Sequence, residues 1–304
     1  MARFLVTGGT GLIGSALIKQ LLGAENQITV LTRDISRAKQ KLPYPIDFIN
    51  TLTDYDSSRT LDYVINLAGE PIADKRWSTQ QKLRLWQSRV DFTRQLVAWI
   101  KTLNRLPKAL ISGSAVGWYG NRQSQILTED SSAALEYTHT LCDAWEAEAN
   151  ALSQAGVRVC ISRTGLVLSE TGGFLQKLKL PFQLCLGARL GDGQQYMSWI
   201  HIDDMVNALL FLIAEEIPTN NKPSGTFNLT SPNPVTNERF NSSLAKALHR
   251  VYFLVVPSVV LRILLAEMSQ LLLTGQRVIP QRLTEQGFNF DYPNIDCALK
   301  DVLK

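Results

Sequence analysis

The chain has few of the residues that build disulfide or metal-held frameworks. Its 304 residues include four cysteines, which lie far from one another in the sequence, and three histidines, which also lie far from one another. None of them has the close spacing of a zinc site or a Cys-x-x-Cys motif. We therefore expect reduced thiols in a cytoplasmic protein, and no metal site is predicted.

The chain also has no strong excess of charge and no long apolar run. Thirty-one basic residues face 27 acidic residues, a net charge of +4 that is too small and too scattered to indicate nucleic-acid binding. Pro257 and Arg262 interrupt the most apolar segment, residues 251–265, and a membrane span needs about 20 apolar residues. We expect no transmembrane segment and no signal peptide, since the first strand begins near Phe4. Residues 251–265 are expected to form a buried helix or a partner-facing surface, and core packing is the commoner outcome.

What the chain does have is a glycine-rich turn between an apolar run and a helical pattern, Thr7-Gly8-Gly-Thr-Gly11-Leu-Ile-Gly14. Gly8 suits a tight turn, Gly11 lets the backbone approach a pyrophosphate, and Gly14 lets the helix pack closely on its strand. The first helical N–H groups would bind the pyrophosphate. This context indicates a dinucleotide site, with contacts predicted at Gly8, Thr10, Gly11, Leu12, Ile13 and Gly14.

Apolar runs alternate with helical patterns through the first two thirds of the chain. Strands are predicted at residues 3–7, 27–32, 47–49, 63–67, 109–112 and 158–163, and helices at 17–22, 80–103 and 142–154. This alternation predicts an α/β fold with a doubly wound parallel (Rossmann) sheet. We expect a Rossmann domain over residues 1–230, with a loop insert at about 169–198 beside the substrate cleft. A small, mostly helical cap is expected over 231–304, with helices at 237–250 and 259–274.

The end of the second strand indicates which dinucleotide is bound. An acidic residue there would bind the 2′-hydroxyl of NAD, whereas this strand ends at Thr32 and Arg33. The guanidinium of Arg33 suits a 2′-phosphate, so NADP is favoured. Asp34 keeps NAD as the alternative, because a shift of one residue would place its carboxylate at the ribose.

Several further motifs resemble one family of proteins. These are Asn66-Leu-Ala-Gly-Glu70, Ser88-Arg89-Val90, Ser114-Ala-Val-Gly-Trp-Tyr-Gly120 and Arg163-Thr-Gly-Leu-Val-Leu168. Together with the glycine turn, they resemble the YfcH-like, SulA-like epimerase family of atypical extended short-chain dehydrogenases/reductases, which has its own C-terminal domain. The resemblance implies an NADP site that includes Arg33, Leu67, Ala68 and Arg89. From their places at strand ends, Gly69 and Val167 are also predicted to contact the cofactor, as is Thr32.

The superfamily's catalytic Tyr-x-x-x-Lys pair is missing. Its place is about 25 residues after Ser114, where Tyr137 is followed four residues later by Leu141. A tyrosine without a nearby cation keeps its pKa near 10 and is a poor base at neutral pH. Ser114 and Tyr119 are the remaining catalytic candidates, and each has a purely structural alternative.

Two interpretations of function stay open at this point. The chain is an NADP-dependent nucleotide-sugar epimerase or reductase acting on an unknown small molecule, or it is a catalytically relic NADP-binding regulatory or scaffold protein in cell division or membrane biogenesis. A monomer or homodimer is expected in either case.

Overall fold

A seven-stranded parallel sheet forms the centre of the computed structural model, which describes residues 1–219 and 222–304. In these residues the strands are β1 (Arg3–Thr7), β2 (Gln27–Leu31), β3 (Asp47–Ile49), β4 (Tyr63–Asn66), β5 (Ala109–Ala115), β6 (Ile126–Leu127), β7 (Arg158–Thr164), β8 (Leu166–Leu168), β9 (Ala188–Leu190), β10 (Tyr196–Met197), β11 (Trp199–His201), β12 (Gly225–Leu229), β13 (Val235–Thr236), β14 (Leu254–Val256) and β15 (Arg277–Val278). The central sheet has the order β3-β2-β1-β4-β5-β7-β12. This is the Rossmann order, so the predicted fold class is confirmed.

Helices cover both faces of this sheet. They are α1 (Leu12–Leu22), α2 (Ile35–Lys41), α3 (Thr79–Trp86), α4 (Phe92–Ile100), α5 (Tyr137–Asn150), α6 (Gly173–Gln183), α7 (Ile202–Ile213), α8 (Asn237–Ala247), α9 (Ser258–Leu265), α10 (Gln270–Leu273), α11 (Gln281–Glu285) and α12 (Ile295–Val302). On β1, Val6 packs towards α1 and α7, whereas Leu5 packs towards α4 and α5. Because both faces of the sheet are covered, its central strands are almost continuously apolar.

The helical pattern at residues 80–103 forms α3 and α4, joined by a π-helical segment, Gln87–Asp91. The apolar pattern of this segment, in phase with Val90 and Val97, predicts that Leu83 is buried. This prediction is wrong, because Leu83 is 54% exposed, whereas Leu85 and Leu96 are fully buried. A π-helical turn contains an extra residue and changes the helical phase, so a single 3.6-residue period cannot describe the whole segment.

Three further expectations need correction. The insert at 169–198 is more than loops, since it contains the eleven-residue helix α6 with Pro181 inside it. The single helix expected at 259–274 is broken, because Ala266 has a positive φ of 50° and ends α9. The core packing favoured for this segment is also wrong, because Ile263 is 71% exposed. In the described residues, no helix has both the length and the apolar character needed to cross a membrane.

The C-terminal region, residues 231–304, contains helices α8 to α12 and packs against the core of the sheet. Its strand β15 pairs with β6, and Leu283 and Phe288 pack in the same apolar cluster as β1 and α1. The buried carboxylate of Asp204 accepts backbone N–H groups from Asp291 and Tyr292, at 2.8 and 3.0 Å. These contacts attach the last thirty residues to the sheet. The division of the chain at residue 230 stays a prediction.

Candidate cofactor and active site

The glycine turn lies between the end of β1 and the start of α1. Gly8 has a positive φ of 68°, and a Cβ there would overlap the carbonyl of Leu67. A Cβ on Gly14 would overlap the carbonyl of Gly8, so the helix needs glycine at this close approach. No side chain caps α1. Its first N–H groups are therefore available to an anion.

Three cations gather beside the end of β2. Arg33, Arg37 and Lys41 all line one cavity of about 1010 Å³. Within the described residues, the side chains of Arg33 and Arg37 form no hydrogen bond or ion pair with a protein group, while Lys41 Nζ lies 3.5 Å from the carbonyl of Thr10. Asp34 caps α2, accepting the N–H of Arg37 at 2.9 Å. Its carboxylate is therefore already used by the protein.

The opposite wall of the cavity follows the end of β4. Thr7 Oγ1 donates to Asn66 Oδ1 at 2.8 Å and accepts the N–H of Ala68 at 3.2 Å, which fixes the backbone after the strand. The structure brings eight of the predicted cofactor residues to this cavity: Gly8, Thr10, Gly11, Thr32, Arg33, Leu67, Ala68 and Gly69. Five of the predicted residues do not line it: Leu12, Ile13, Gly14, Arg89 and Val167. Leu12, Ile13 and Gly14 form the first turn of α1, and Val167 lies on β8.

Arg89 lies on the π-helical segment, and its guanidinium is next to Gly69, one of the residues that line the cavity. Its Nη2 donates to the carbonyl of Glu70 at 2.9 Å, and its guanidinium carbon is 5.4 Å from the centre of the Trp145 ring. Burial lowers the pKa of Arg89, while the charges of Cys142, Tyr137 and Glu70 act in the opposite direction. Arg89 Nη1 also lies 3.5 Å from the carbonyl of Leu85 and 3.4 Å from Ser88 Oγ, so the half-buried guanidinium is held by the protein on both nitrogens.

A buried polar triad lies at the carboxyl end of β5. Ser114 Oγ donates to Glu146 Oε1 at 2.5 Å, and Arg163 binds both oxygens of Glu146, at 2.9 and 2.8 Å. Trp118 stacks on the guanidinium of Arg163, 3.4 Å from the ring centre. Although burial disfavours its charge, the hydrogen bonds and charge of Glu146 raise the pKa of Arg163. The negative charge of Glu146 is balanced by Arg163, and Ser114 donates its hydroxyl proton to Glu146 in a hydrogen bond.

The hydroxyl groups of Tyr119 and Tyr137 make their hydrogen bonds to groups outside this triad. The hydroxyl of Tyr119 is fully buried and donates to Asn228 Oδ1 at 2.7 Å, and burial raises its pKa to about 12. Tyr137 begins α5, where its hydroxyl lies 3.4 Å from the carbonyl of Lys82. Cys142 and Glu146, one turn apart on α5, are the α5 residues next to Ser114. A cysteine and a glutamate therefore stand beside Ser114.

Sequence reasoning missed a residue of the cavity, Lys41. Lys41 lines the cavity one helical turn after Arg37, a spacing that places both on one face of α2 and was available as a signal. The structure also brings His201 close to Asp203, two residues later, and to Asp301, 100 residues later, with their nearest ligand atoms within 4.8 Å. Its Nδ1 accepts the N–H of Asp203, and Tyr292 stacks on its ring at 3.8 Å. The prediction that the chain has no metal site stays a prediction.

A Rossmann sheet with this turn and cavity defines the class of NAD(P)-binding α/β proteins. Residues 4–229 match the NAD dependent epimerase/dehydratase family, and residues 256–302 match a domain of unknown function, DUF1731. An epimerase family protein of Staphylococcus aureus is 37% identical over 305 residues, covering 100% of both chains. The chain belongs to the NAD-dependent epimerase/dehydratase family, which confirms the resemblance read from the motifs.

Solved structures are also similar to this chain. The human epimerase family protein SDR39U1 (isoform 2), crystallised with NADPH, has a TM-score of 0.87 and 30% identity, covering 99% of each chain. A nucleoside-diphosphate sugar epimerase from Corynebacterium glutamicum has a TM-score of 0.77 and 29% identity, covering 99% of this chain and 58% of the other. The UDP-glucuronic acid 4-epimerase of Bacillus cereus, in complex with NAD, has a TM-score of 0.77 but 18% identity, and so shares the fold alone.

Proposed function

We propose that the 1010 Å³ cavity binds NADP(H), with the 2′-phosphate at Arg33, Arg37 and Lys41. The observation that carries this proposal is the cluster of cations beside β2, whose neighbouring carboxylate, Asp34, is used as a helix cap. These exposed cations can make charge-assisted hydrogen bonds to a phosphate dianion, whereas the 2′-hydroxyl of NAD offers them no charge. The glycine turn at α1 would hold the pyrophosphate, and Leu67, Ala68 and Gly69 would pass the adenosine ribose.

Calorimetry of NADPH and NADH binding tests this assignment. Hydrogen bonds to charged groups contribute about 1.5–3 kcal/mol, so Arg33→Ala should weaken NADPH binding by about 10- to 100-fold. NADH affinity should change little, because NADH has no 2′-phosphate. Arg59→Ala is the matched control, since Arg59 lies at another site, paired with Asp47 and Asp56. Equal affinities for the two cofactors, or an unchanged NADPH affinity in Arg33→Ala, would refute an NADP site here.

We further propose that the protein is an epimerase or reductase of a small polar substrate, with a nucleotide sugar as the first class to test. When bound, the nicotinamide supplies or accepts a hydride. When a substrate hydroxyl is oxidised, Ser114 Oγ orients it and accepts its proton, because the proton of Ser114 already points at Glu146. Glu146 receives the proton that Ser114 releases, and Arg163 keeps the carboxylate in place. Tyr119 takes no part in this chemistry, because its buried hydroxyl donates to Asn228.

Turnover measurements test this second step. Purified protein with NADPH or NADP⁺ is incubated with a panel of carbonyl compounds and nucleotide sugars, and both cofactor fluorescence and sugar isomers are followed. Positioned proton transfer contributes about 10²- to 10⁴-fold, so Ser114→Ala should lower any rate by that range. Ser153→Ala is the matched control, since Ser153 is an exposed residue that bonds only the carbonyl of Asn150.

The relic interpretation remains the second candidate, favoured by one observation. None of the eight tyrosines is followed four residues later by a lysine, and Cys142 and Glu146 stand beside Ser114 instead. A protein that binds NADPH tightly but turns over nothing in the panel would support a regulatory or scaffold role. A slow rate that is lost in Ser114→Ala would support the enzyme.

A further inference from the structure

Large apolar side chains are exposed on one side of the C-terminal region. Around β14, Val251, Phe253 and Val255 alternate outwards, and Phe253 is 73% exposed. On α9 the exposed residues include Val259, Ile263 and Leu264, whereas Leu261 is the buried residue of this helix. Exposed apolar residues are common singly, but a contiguous group of this size marks an interaction surface.

The apolar surface continues onto the segment after α6. Strand β14 pairs with β9, and Leu184 and Leu186 directly precede β9 with about 60% of each side chain exposed. Arg250 Nε donates to the carbonyl of Gln183 at 3.0 Å, which joins the two segments. We call the exposed apolar residues of 180–186, 251–255 and 259–264 the cap face.

The sequence stretches that carry the cap face contain basic residues and no acidic ones. No acidic residue occurs between Glu170 and Asp192 or between Glu238 and Glu267, while these stretches contain three and four basic residues. Four of the seven pair with acidic residues outside the stretches. The other three, Lys246, Arg250 and Arg262, are exposed and form no ion pair within the described part of the chain. An apolar surface flanked by cations that have no acidic partner is complementary to an apolar surface that carries anions.

This charge pattern decides between the possible occupants. In a two-fold dimer the same surface meets itself, so the cations of one copy would face those of the other. Protein interfaces concentrate much of their binding energy in tryptophan and tyrosine anchors, whereas the apolar residues of the cap face are aliphatic apart from Phe253. Aliphatic side chains beside lysine and arginine are typical of a surface that lies in the interface of an anionic bilayer.

We propose that the cap face binds the surface of a membrane that contains anionic lipids. The side chains of Phe253, Ile263 and Leu264 enter the boundary between headgroups and acyl chains, and Lys246, Arg250 and Arg262 contact the lipid phosphates. The protein lies on the bilayer and does not cross it.

Co-sedimentation of the full chain with lipid vesicles tests the proposal. The protein should sediment with vesicles of phosphatidylcholine mixed with phosphatidylglycerol, less so as salt is raised, and hardly with phosphatidylcholine alone. The double variant Phe253→Ser, Ile263→Ser should bind at least about tenfold more weakly, as should Lys246→Glu, Arg262→Glu. Leu135→Ser is the matched control, since Leu135 is 90% exposed outside the cap face.

Three results would overturn the proposal. The first is no sedimentation with anionic vesicles at low salt, and the second is equal sedimentation with both vesicle types. The third is a wild-type dimer, measured by light scattering, that becomes monomeric in the Phe253 and Ile263 variant and does not bind vesicles. Circular dichroism and thermal unfolding of every variant show that the fold is kept. The result does not depend on whether the cavity binds NADP(H).

Discussion

At the scale of single residues, Asp34 separates two interpretations of the cofactor site. Its side chain accepts the N–H of Arg37 at 2.9 Å and so caps α2. If this is its function, Asp34→Ala should lower the free energy of unfolding by about 1 kcal/mol. The ratio of NADPH to NADH affinity should stay unchanged, because the carboxylate of Asp34 then contacts the adenosine ribose of neither cofactor.

The variant Asp34→Asn is the control, since asparagine is an equally good helix cap. It should restore stability in urea unfolding and leave both cofactor affinities unchanged. A selective loss of NADH binding in Asp34→Asn would instead mean that the carboxylate contacts the ribose.

Residues could be placed from sequence where a strand end fixes them. Arg33 follows β2 by two residues, so reading the strand was enough to place it at the cavity. The triad of Ser114, Glu146 and Arg163 could not be assembled in this way. Its members lie on β5, α5 and β7, and only the packing of α5 on the sheet brings them together.

At the scale of elements, the π-helical segment between α3 and α4 sets which residues face the core. Leu85 is fully buried against Trp77 and Trp145, whereas Leu83 is 54% exposed. Leu85→Ala should therefore lower the free energy of unfolding by about 2–5 kcal/mol. Leu83→Ala, the same substitution two residues away, should change it by less than about 0.5 kcal/mol. Denaturant unfolding of both variants measures the difference, and similar losses in the two would contradict this helix phase.

The elements themselves were predictable to different degrees. The sheet strands were found within a few residues, because short apolar runs bounded by turns have few alternatives in a buried parallel sheet. The end of α9 was not found, since Ala266 adopts its positive φ through tertiary packing and carries no glycine or proline signal. The exposed face of α9 has the same apolar periodicity as a buried helix, so sequence alone could not distinguish the two.

At the scale of the whole molecule, one buried carboxylate connects the C-terminal region to the sheet. Glu129 Oε1 accepts the N–H of Asn228 on β12 at 2.9 Å, and both its oxygens lie 3.4 Å from the N–H of Arg282 on α11. Composition and motif reading gave no indication of this connection, because Glu129 is isolated in a polar loop. Its 7% exposure is a product of the packing of the C-terminal region.

This burial makes the stability of the protein depend on pH at Glu129. Burial raises the pKa of Glu129, although the two backbone N–H groups and the charge of Arg282 oppose the shift. The folded state therefore holds the proton more tightly than the unfolded state does. The stabilisation is complete below the unfolded pKa of about 4.3 and is lost as pH rises through the folded pKa, by about 1.4 kcal/mol per pKa unit.

Glu129→Gln keeps an acceptor for the N–H of Asn228 but cannot ionise. Between about pH 4.5 and about pH 8, wild-type stability should therefore fall relative to this variant in urea unfolding. Glu215→Gln is the control, because hydrogen bonds from Lys222 and Tyr63 lower the pKa of Glu215 to about 2. Stability from Glu215 is lost only as pH falls below about 4.3, so its difference from wild type should stay nearly constant across this range. If wild type instead gains on Glu129→Gln as pH rises, Arg282 and the backbone N–H groups outweigh the burial of the carboxylate.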